Sequence, residues 1–149
     1  MTPTAAARPS PASMPMRKAS PADRALIAPG TPPPGMAFRA VYERAILSAS
    51  RLRPHDRFVA IALATHADVA GQVIQQPRLV GLIHDTGLHA GQVVVALNSL
   101  KQRGWIRQAQ PSAPYDSADL LLTIPAPILA RLRSTTTARV GSNTSGPSA

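Results

Sequence analysis

The distribution of proline constrains the fold of this chain more than any other feature of its sequence. Nine of the sixteen prolines lie within residues 1–37, including the run Pro32-Pro33-Pro34. Proline lacks a backbone donor and blocks helix, and this stretch has too little apolar material to offset the entropy cost of ordering. We therefore expect a disordered Pro/Ala-rich arm over 1–37, one folded domain over 38–134, and a second disordered end over the Ser/Thr/Gly-rich 135–149.

The charge of the chain favours an anionic partner. Sixteen Lys and Arg face seven Asp and Glu, for a net charge of +9, and the segment 38–134 carries eleven basic and six acidic side chains. Nucleic acid is the first class of partner that this suggests, and an acidic protein or a membrane surface is the second. All but two of the basic residues are arginine, which is also typical of a GC-rich genome. Charge alone therefore does not decide the function.

Several kinds of site are excluded or disfavoured by what the sequence lacks. The absence of cysteine excludes disulfides, iron–sulfur clusters, thiolate zinc sites and cysteine nucleophiles. No apolar run reaches the roughly 18 residues of a membrane span. There is no HExxH motif, Gly-rich phosphate loop or G-x-S-x-G elbow, so we predict no enzyme activity and no cofactor. We predict no metal site; the alternative is a loose site formed by His84, Asp85 and His89, which would make the protein a metal-responsive regulator.

Apolar periodicity predicts a mainly helical domain that ends in a β-hairpin. Strands are expected over 105–109 and 119–124, joined by a tip over 110–118, with a brief strand at Val73-Ile74 and a last short helix through Arg133. Four earlier helices are expected, near 38–49, from Pro54 to before Gly71, from Pro77 to near Asp85, and over 89–103. Their inward residues are predicted as Val41, Tyr42, Ala45 and Ile46; Phe58, Ile61, Ala62 and Thr65; Leu79, Leu82 and Ile83; and Val93, Ala96, Leu97 and Leu100.

A more specific pattern joins the last two of these helices to the hairpin. It consists of Leu82-Ile83-His84-Asp85-Thr86-Gly87-Leu88-His89, then Val93, Ala96-Leu97 and Leu100, and then Gly104-Trp105-Ile106. This series resembles bacterial winged helix-turn-helix DNA-binding proteins, the regulators of GC-rich bacteria, in which the matching segment reads L-A-x-x-T-G-L-S and ends in G-W-[LIV]. The resemblance covers residues 55–124, about half of the chain.

The resemblance implies a winged helix-turn-helix with extra N- and C-terminal helices. Its recognition helix, 89–103, would lie in the major groove, and its wing, 105–124, would touch the flanking backbone or the minor groove. Family members commonly carry Arg or Lys on the outer face of this helix, whereas the first two turns here carry neither. Arginine to guanine is the commonest specific contact, so other side chains must read the bases. The base-contact candidates are His89, Gln92, Val95, Asn98, Ser99 and Gln102.

Phosphate contacts have better candidates. Arg78 would add its charge to the free amides at the N-terminus of the third helix, and Arg107 lies on the first wing strand. The wing tip has no Lys or Arg and carries Asp116, which does not favour backbone binding. Gln92 alternatively caps the recognition helix, because it lies three residues after the start. Further phosphate candidates are Arg53, Arg57, Lys101 and Arg103.

Two protein interfaces are also expected. Val93, Val94 and Val95 cannot all face one narrow core stripe, so at least one should be exposed unless the buried face of the helix is wider. An exposed valine could contact a thymine methyl group. Alternatively, Val94/Val95 could form a protein-binding site. The helices 38–49 and 126–134 are expected to form a homodimer, because symmetric operators need symmetric proteins. The predicted dimer seam consists of Val41, Ile46, Leu47, Ile128, Leu129 and Leu132.

Together these features favour sequence-specific binding of double-stranded DNA by a bacterial transcriptional regulator in the cytoplasm, associated with the nucleoid. Two alternatives stay open at this point. One is a winged-helix adaptor for protein–protein interaction with weakened or no DNA binding. The other is a plasmid or phage replication or partition factor, which uses the same fold on DNA.

Overall fold

The structure is a computed structural model that describes residues 20–32, 35–73 and 77–141, with the side chains of the last helix described through residue 135. It is mainly helical, with a small two-stranded antiparallel sheet. The elements in chain order are α1 (Pro21–Ile27), α2 (Phe38–Ser48), α3 (Pro54–Thr65), α4 (Arg78–Thr86), α5 (Ala90–Gln102), β1 (Ile106–Gln108), β2 (Leu120–Leu122) and α6 (Ala126–Gly141).

Helix α5 lies at the centre of the core and packs against α3, α4 and β1. The apolar stripe predicted for it is confirmed, since Val93, Ala96, Leu97 and Leu100 are all buried. The stripe predicted for α2 is confirmed as well. Tyr42 of α2 is fully buried, and its ring meets that of Trp105 edge to face at 6.0 Å between centroids.

The face predicted for α3 is wrong in part. Ile61 and Ala62 are half-buried against the core, but Phe58 is 60% exposed and Thr65 is exposed. From 58 to 64 the helix is entirely apolar, so the sequence offers two adjacent stripes that satisfy helical periodicity. The packing of α2 and α5 against α3 selects the neighbouring stripe. Its buried residues are Asp56, Val59, Ala60, Leu63 and Ala64.

The hairpin is confirmed at the position predicted for the two strands. Ile106 pairs with Leu122, and Gln108 pairs with Leu120, in antiparallel register. The short strand expected at Val73 is an extended segment beside β2: the Val73 amide donates to the Leu120 carbonyl at 3.0 Å. Ile74 lies outside the described residues. The extended segment and the hairpin close the core at one end of α5.

The N-terminal arm differs from the sequence-based prediction over its described part. Ser20 and Asp23 cap α1 reciprocally, and Pro21 occupies the first turn, where its missing amide costs nothing. After α1, the Gly30 amide donates to the Ile124 carbonyl at 2.8 Å, and the Ala126 amide donates to the Ala28 carbonyl at 2.8 Å. Residues 20–32 are thereby held against the start of α6. The rest of the expectation for the arm falls on residues 1–19 and 33–34, outside the described residues.

The last helix continues to Gly141, beyond Arg133, where the sequence placed its end. The prediction of a disordered end over 135–149 is therefore wrong for 135–141, and its remainder, 142–149, lies outside the described residues. The dimer seam predicted from α2 and α6 is largely used inside the protomer. Val41, Ile46 and Leu129 are buried in the core, and Ile128 and Leu132 are half-buried against it. Leu47 is the member of the predicted seam that is well exposed, at 61%. Among the described helices, none has the length and apolarity needed to cross a bilayer.

Candidate nucleic-acid interface

A three-residue connection joins α4 to α5 and sets the angle between them. Gly87 adopts a left-handed conformation with φ +66°, and its amide donates to the Ile83 carbonyl at 2.9 Å, which closes α4. A side chain at position 87 would strain this backbone conformation. The Thr86 hydroxyl donates to the Leu82 carbonyl at 2.5 Å and accepts from the Leu88 amide at 3.3 Å. The Thr-Gly-Leu pattern therefore has a local structural role in making this turn.

The outward face of α5 is uncharged. Residues 89–100 contain no Lys, Arg, Asp or Glu. Val95 is 52% exposed and Val94 is half-buried, which confirms that one of the three consecutive valines faces outward. His89, Asn98 and Gln102 are also exposed. This face can offer hydrogen bonds and one apolar contact, but no fixed charge.

Gln92 caps its own helix. Its side-chain Oε1 accepts a hydrogen bond from the His89 amide at 3.0 Å, so the capping alternative is confirmed. A bidentate contact to adenine needs both the amide oxygen and the amide nitrogen of glutamine. Reading a base would therefore require Gln92 to give up the cap.

Ser99 lies on the inner side of α5, away from the exposed face on which the sequence placed it. It is 8% exposed, and its hydroxyl donates to Oδ2 of Asp56 at 2.8 Å. Asp56 itself is 1% exposed and lies in the first turn of α3, where the helix dipole favours a carboxylate. Ser99 thus joins α5 to α3 and is not positioned to contact DNA. Sequence periodicity missed this because a serine can take either a core or a surface position.

Asn98 is tied to the hairpin. The Tyr115 hydroxyl donates to Asn98 Oδ1 at 2.8 Å, so the tip of the hairpin contacts the outward side of α5. Partial burial raises the pKa of Tyr115 above its ordinary value. Sequence reasoning did not find this contact. The signal available was a tyrosine in an otherwise polar hairpin tip.

The acidic residue of the hairpin tip has a structural function at the start of α4. Oδ1 of Asp116 accepts a hydrogen bond from the Leu79 amide at 2.8 Å. It therefore occupies part of the helix N-terminus that Arg78 and its neighbouring amides were expected to offer to a phosphate. Arg78 directly precedes Leu79 and therefore lies beside this contact; it is exposed and has a positive φ of 55°. A phosphate would have to share that end of α4 with the Asp116 carboxylate.

The remaining cations predicted to contact phosphate differ in whether a hydrogen bond within the protein holds the side chain. Arg107 is exposed on β1, opposite Leu121. Lys101, in the last turn of α5, donates a hydrogen bond to Oε1 of Gln108 on β1. Arg57 and Arg103 each donate to a backbone carbonyl at the α2–α3 connection, at 2.8 and 3.0 Å. Arg107 is the one of these four that is most directly presented outward.

A cleft of about 290 Å³ lies between the N-terminal ends of α3 and α5. Arg53 and His55 line it from the α3 side, and Gly91 and Val95 line it from the α5 side. Both Arg53 and His55 are exposed. The tertiary structure therefore brings a guanidinium and an imidazole beside the uncharged α5 face. His55 was not predicted as a site residue, because only the packing of α3 on α5 places it there.

The histidines near the α4–α5 turn make contacts that differ from those of the alternative metal site. Asp85 pairs with His66 Nε2 at 3.1 Å and with His84 Nδ1 at 3.3 Å, whereas His89 does not take part in this pair of contacts. Hydrogen bonds from His66 and then His84 lower the pKa of Asp85. Within the described part of the chain, no group of three His, Cys, Asp or Glu side chains could hold a metal ion.

Comparisons of the chain with family models, with curated proteins and with solved structures find no match.

Proposed function

We propose that this protein binds double-stranded DNA as a winged helix-turn-helix regulator, with α5 in the major groove and the β1–β2 hairpin as the wing. The observation that supports the proposal best is the combination of the tight α4–α5 turn with an exposed outer face of α5. Arg53 and His55 flank this face at one end, and Arg107 lies on the adjoining strand. This arrangement gives phosphate-binding cations around a groove-reading helix.

In this arrangement the bases would be read without arginine. His89, Asn98 and Gln102 offer hydrogen bonds, and Val95 offers an apolar contact to a thymine methyl group. The wing would act through Arg107 on β1 and not through its tip, because Asp116 and Tyr115 of the tip are engaged with α4 and α5. A regulator with this set of contacts would work at the nucleoid, and a plasmid or phage replication factor would use the same surface.

The test is fluorescence anisotropy of the full chain with random-sequence duplexes, at about 50 and 200 mM salt, followed by selection of bound sequences. Binding should fall steeply with salt and should enrich a motif. Arg53→Gln should weaken binding and reduce the log–log salt slope by about 0.9, the value for one lost phosphate contact. The matched control is Arg39→Gln, because Arg39 is an exposed arginine of α2 that is ion-paired to Glu43 at 2.7 Å.

Absence of binding at the lower salt concentration would refute the proposal. Equal losses in Arg53→Gln and Arg39→Gln would also count against it, because they would indicate a diffuse charge effect and not this surface. Arg53 makes no side-chain hydrogen bond at the α3 cap, so its replacement should leave the fold intact.

A protein–protein adaptor is the second candidate, and the exposed Val95 on an uncharged helix face favours it. Apolar contact with a protein would be nearly indifferent to salt, unlike phosphate binding. Val95→Glu separates the two functions. It should abolish binding of a protein partner if the adaptor function holds, whereas a change confined to DNA affinity would reject that function.

A further inference from the structure

A second cavity lies at the opposite end of α5 from His89. It has a volume of about 430 Å³, which is within the range of about 300–1,000 Å³ found for small-molecule sites. Its wall is apolar. Leu52 and Trp105 form the buried part, whereas Ile128 and Leu132 of α6 form the half-buried part.

Three arginines from three different elements surround this apolar wall. Arg51 lies in the α2–α3 connection, Arg103 follows α5, and Arg131 lies on α6. All three are exposed, and no Asp or Glu lines the cavity. Within the described residues, the ion pairs of the protein involve Arg39 and two histidines and none of these three arginines. The cavity therefore carries positive charge that no carboxylate among the described residues neutralises.

One of the three guanidinium groups is held in place. Arg103 Nη1 donates to the Arg51 carbonyl at 3.0 Å, which anchors the side chain beside the cavity. A guanidinium that is already positioned loses less side-chain entropy when it binds an anion than a freely moving one does. The anchored Arg103 also connects this cavity to the end of α5.

We propose that this cavity binds a small monocarboxylate with an apolar body. Guanidinium groups match a carboxylate in charge and in the geometry of paired hydrogen bonds. The apolar body would be removed from water against Trp105 and Leu132. A nucleic-acid phosphate fits this site less well, because the apolar wall would then stay unfilled. The proposal does not depend on DNA binding, and each proposal can fail without the other.

The experiment uses the full chain and three probes: octanoate, 1-octanol and acetate. Trp105 is the single tryptophan of the chain, and it lines the cavity, so its fluorescence reports on occupancy. Calorimetry gives the affinity independently of the optical signal. Octanoate should bind saturably, whereas 1-octanol lacks the charge and acetate lacks the apolar body. Each of these two should bind about tenfold or more weakly.

Arg131→Gln should weaken octanoate binding about tenfold and leave 1-octanol binding unchanged, because it removes one guanidinium and little apolar surface. Arg51→Gln provides a second variant should the first one fail to fold. Arg39→Gln is the control, and it should bind octanoate like the unaltered protein. The proposal is overturned if octanoate does not saturate, if 1-octanol binds equally well, or if Arg131→Gln and Arg51→Gln bind octanoate normally.

Discussion

The hydroxyl of Ser99 donates to Asp56 across the interface between α5 and α3, and Ser99→Ala removes that donor. Asp56 is 1% exposed, so water cannot readily replace the lost hydrogen bond. A hydrogen bond to a charged group contributes about 1.5–3 kcal/mol. Alanine is the better helix former and recovers up to about 0.7 kcal/mol of that loss. We therefore expect the free energy of unfolding to fall by about 1–2 kcal/mol.

Urea denaturation of the full chain measures this change. The midpoint should fall while the slope stays the same, because the surface exposed on unfolding is unaltered. Ser134→Ala is the matched control: Ser134 is an exposed helical serine, so the same substitution should be neutral or slightly stabilising there. A double-mutant cycle with Asp56→Ala should show that the two side chains are coupled.

The same variant separates the structural function of Ser99 from the base contact that the sequence predicted. If the structural interpretation is correct, folded Ser99→Ala protein should bind duplex DNA as the unaltered protein does. Two outcomes would refute the reasoning. One is a stability change no larger than that of Ser134→Ala, and the other is unchanged stability accompanied by a loss of DNA affinity.

Three further changes test other parts of the structure. Gly104→Ala should destabilise the fold by about 1–3 kcal/mol, because Gly104 has φ +75° and a Cβ there would lie 2.6 Å from the Ile27 carbonyl oxygen. Urea denaturation measures this, and an unchanged midpoint would contradict it. Asp116→Ala should cost about 1 kcal/mol through loss of the cap on α4, and equal stability of the variant would argue against the cap. Hydrogen bonds from His66 and then His84 lower the pKa of Asp85. The stability that Asp85 contributes is therefore present above its ordinary pKa of 3.8, and it is lost as the pH falls through the lowered pKa. Asp85→Asn should therefore reduce the fall in the thermal unfolding midpoint at acid pH. A fall identical to that of the unaltered protein would contradict the assignment.

The sequence predicted most accurately the elements whose signals are local. The Thr86-Gly87-Leu88 turn follows from the backbone conformation that glycine permits and from the reach of a threonine hydroxyl over one helical turn. The stripe from Val93 to Leu100 is equally readable, because its members recur at intervals of three and four residues. The hairpin follows from two apolar runs separated by a polar, proline-containing tip.

Sequence prediction failed where two local solutions were equivalent or where the partner is distant along the chain. In α3, consecutive apolar residues allow either of two faces to be buried, and Phe58 was assigned to the wrong one. Residues 20–32 were assigned to a disordered arm because of their proline content. Their order depends on hydrogen bonds to Ile124 and to α6, about a hundred residues later. Such contacts leave no periodic signal in the segment itself.

The candidate site divides in the same way. Local sequence was enough to predict that α5 forms, that a valine lies on its outer face, and that this face lacks arginine. The inward turn of Ser99 to Asp56, and the position of Arg53 and His55 beside Val95, follow from the three-dimensional packing. Helical periodicity depends on neighbours three and four residues away, whereas these placements depend on the packing of α3 against α5, which joins residues more than thirty positions apart.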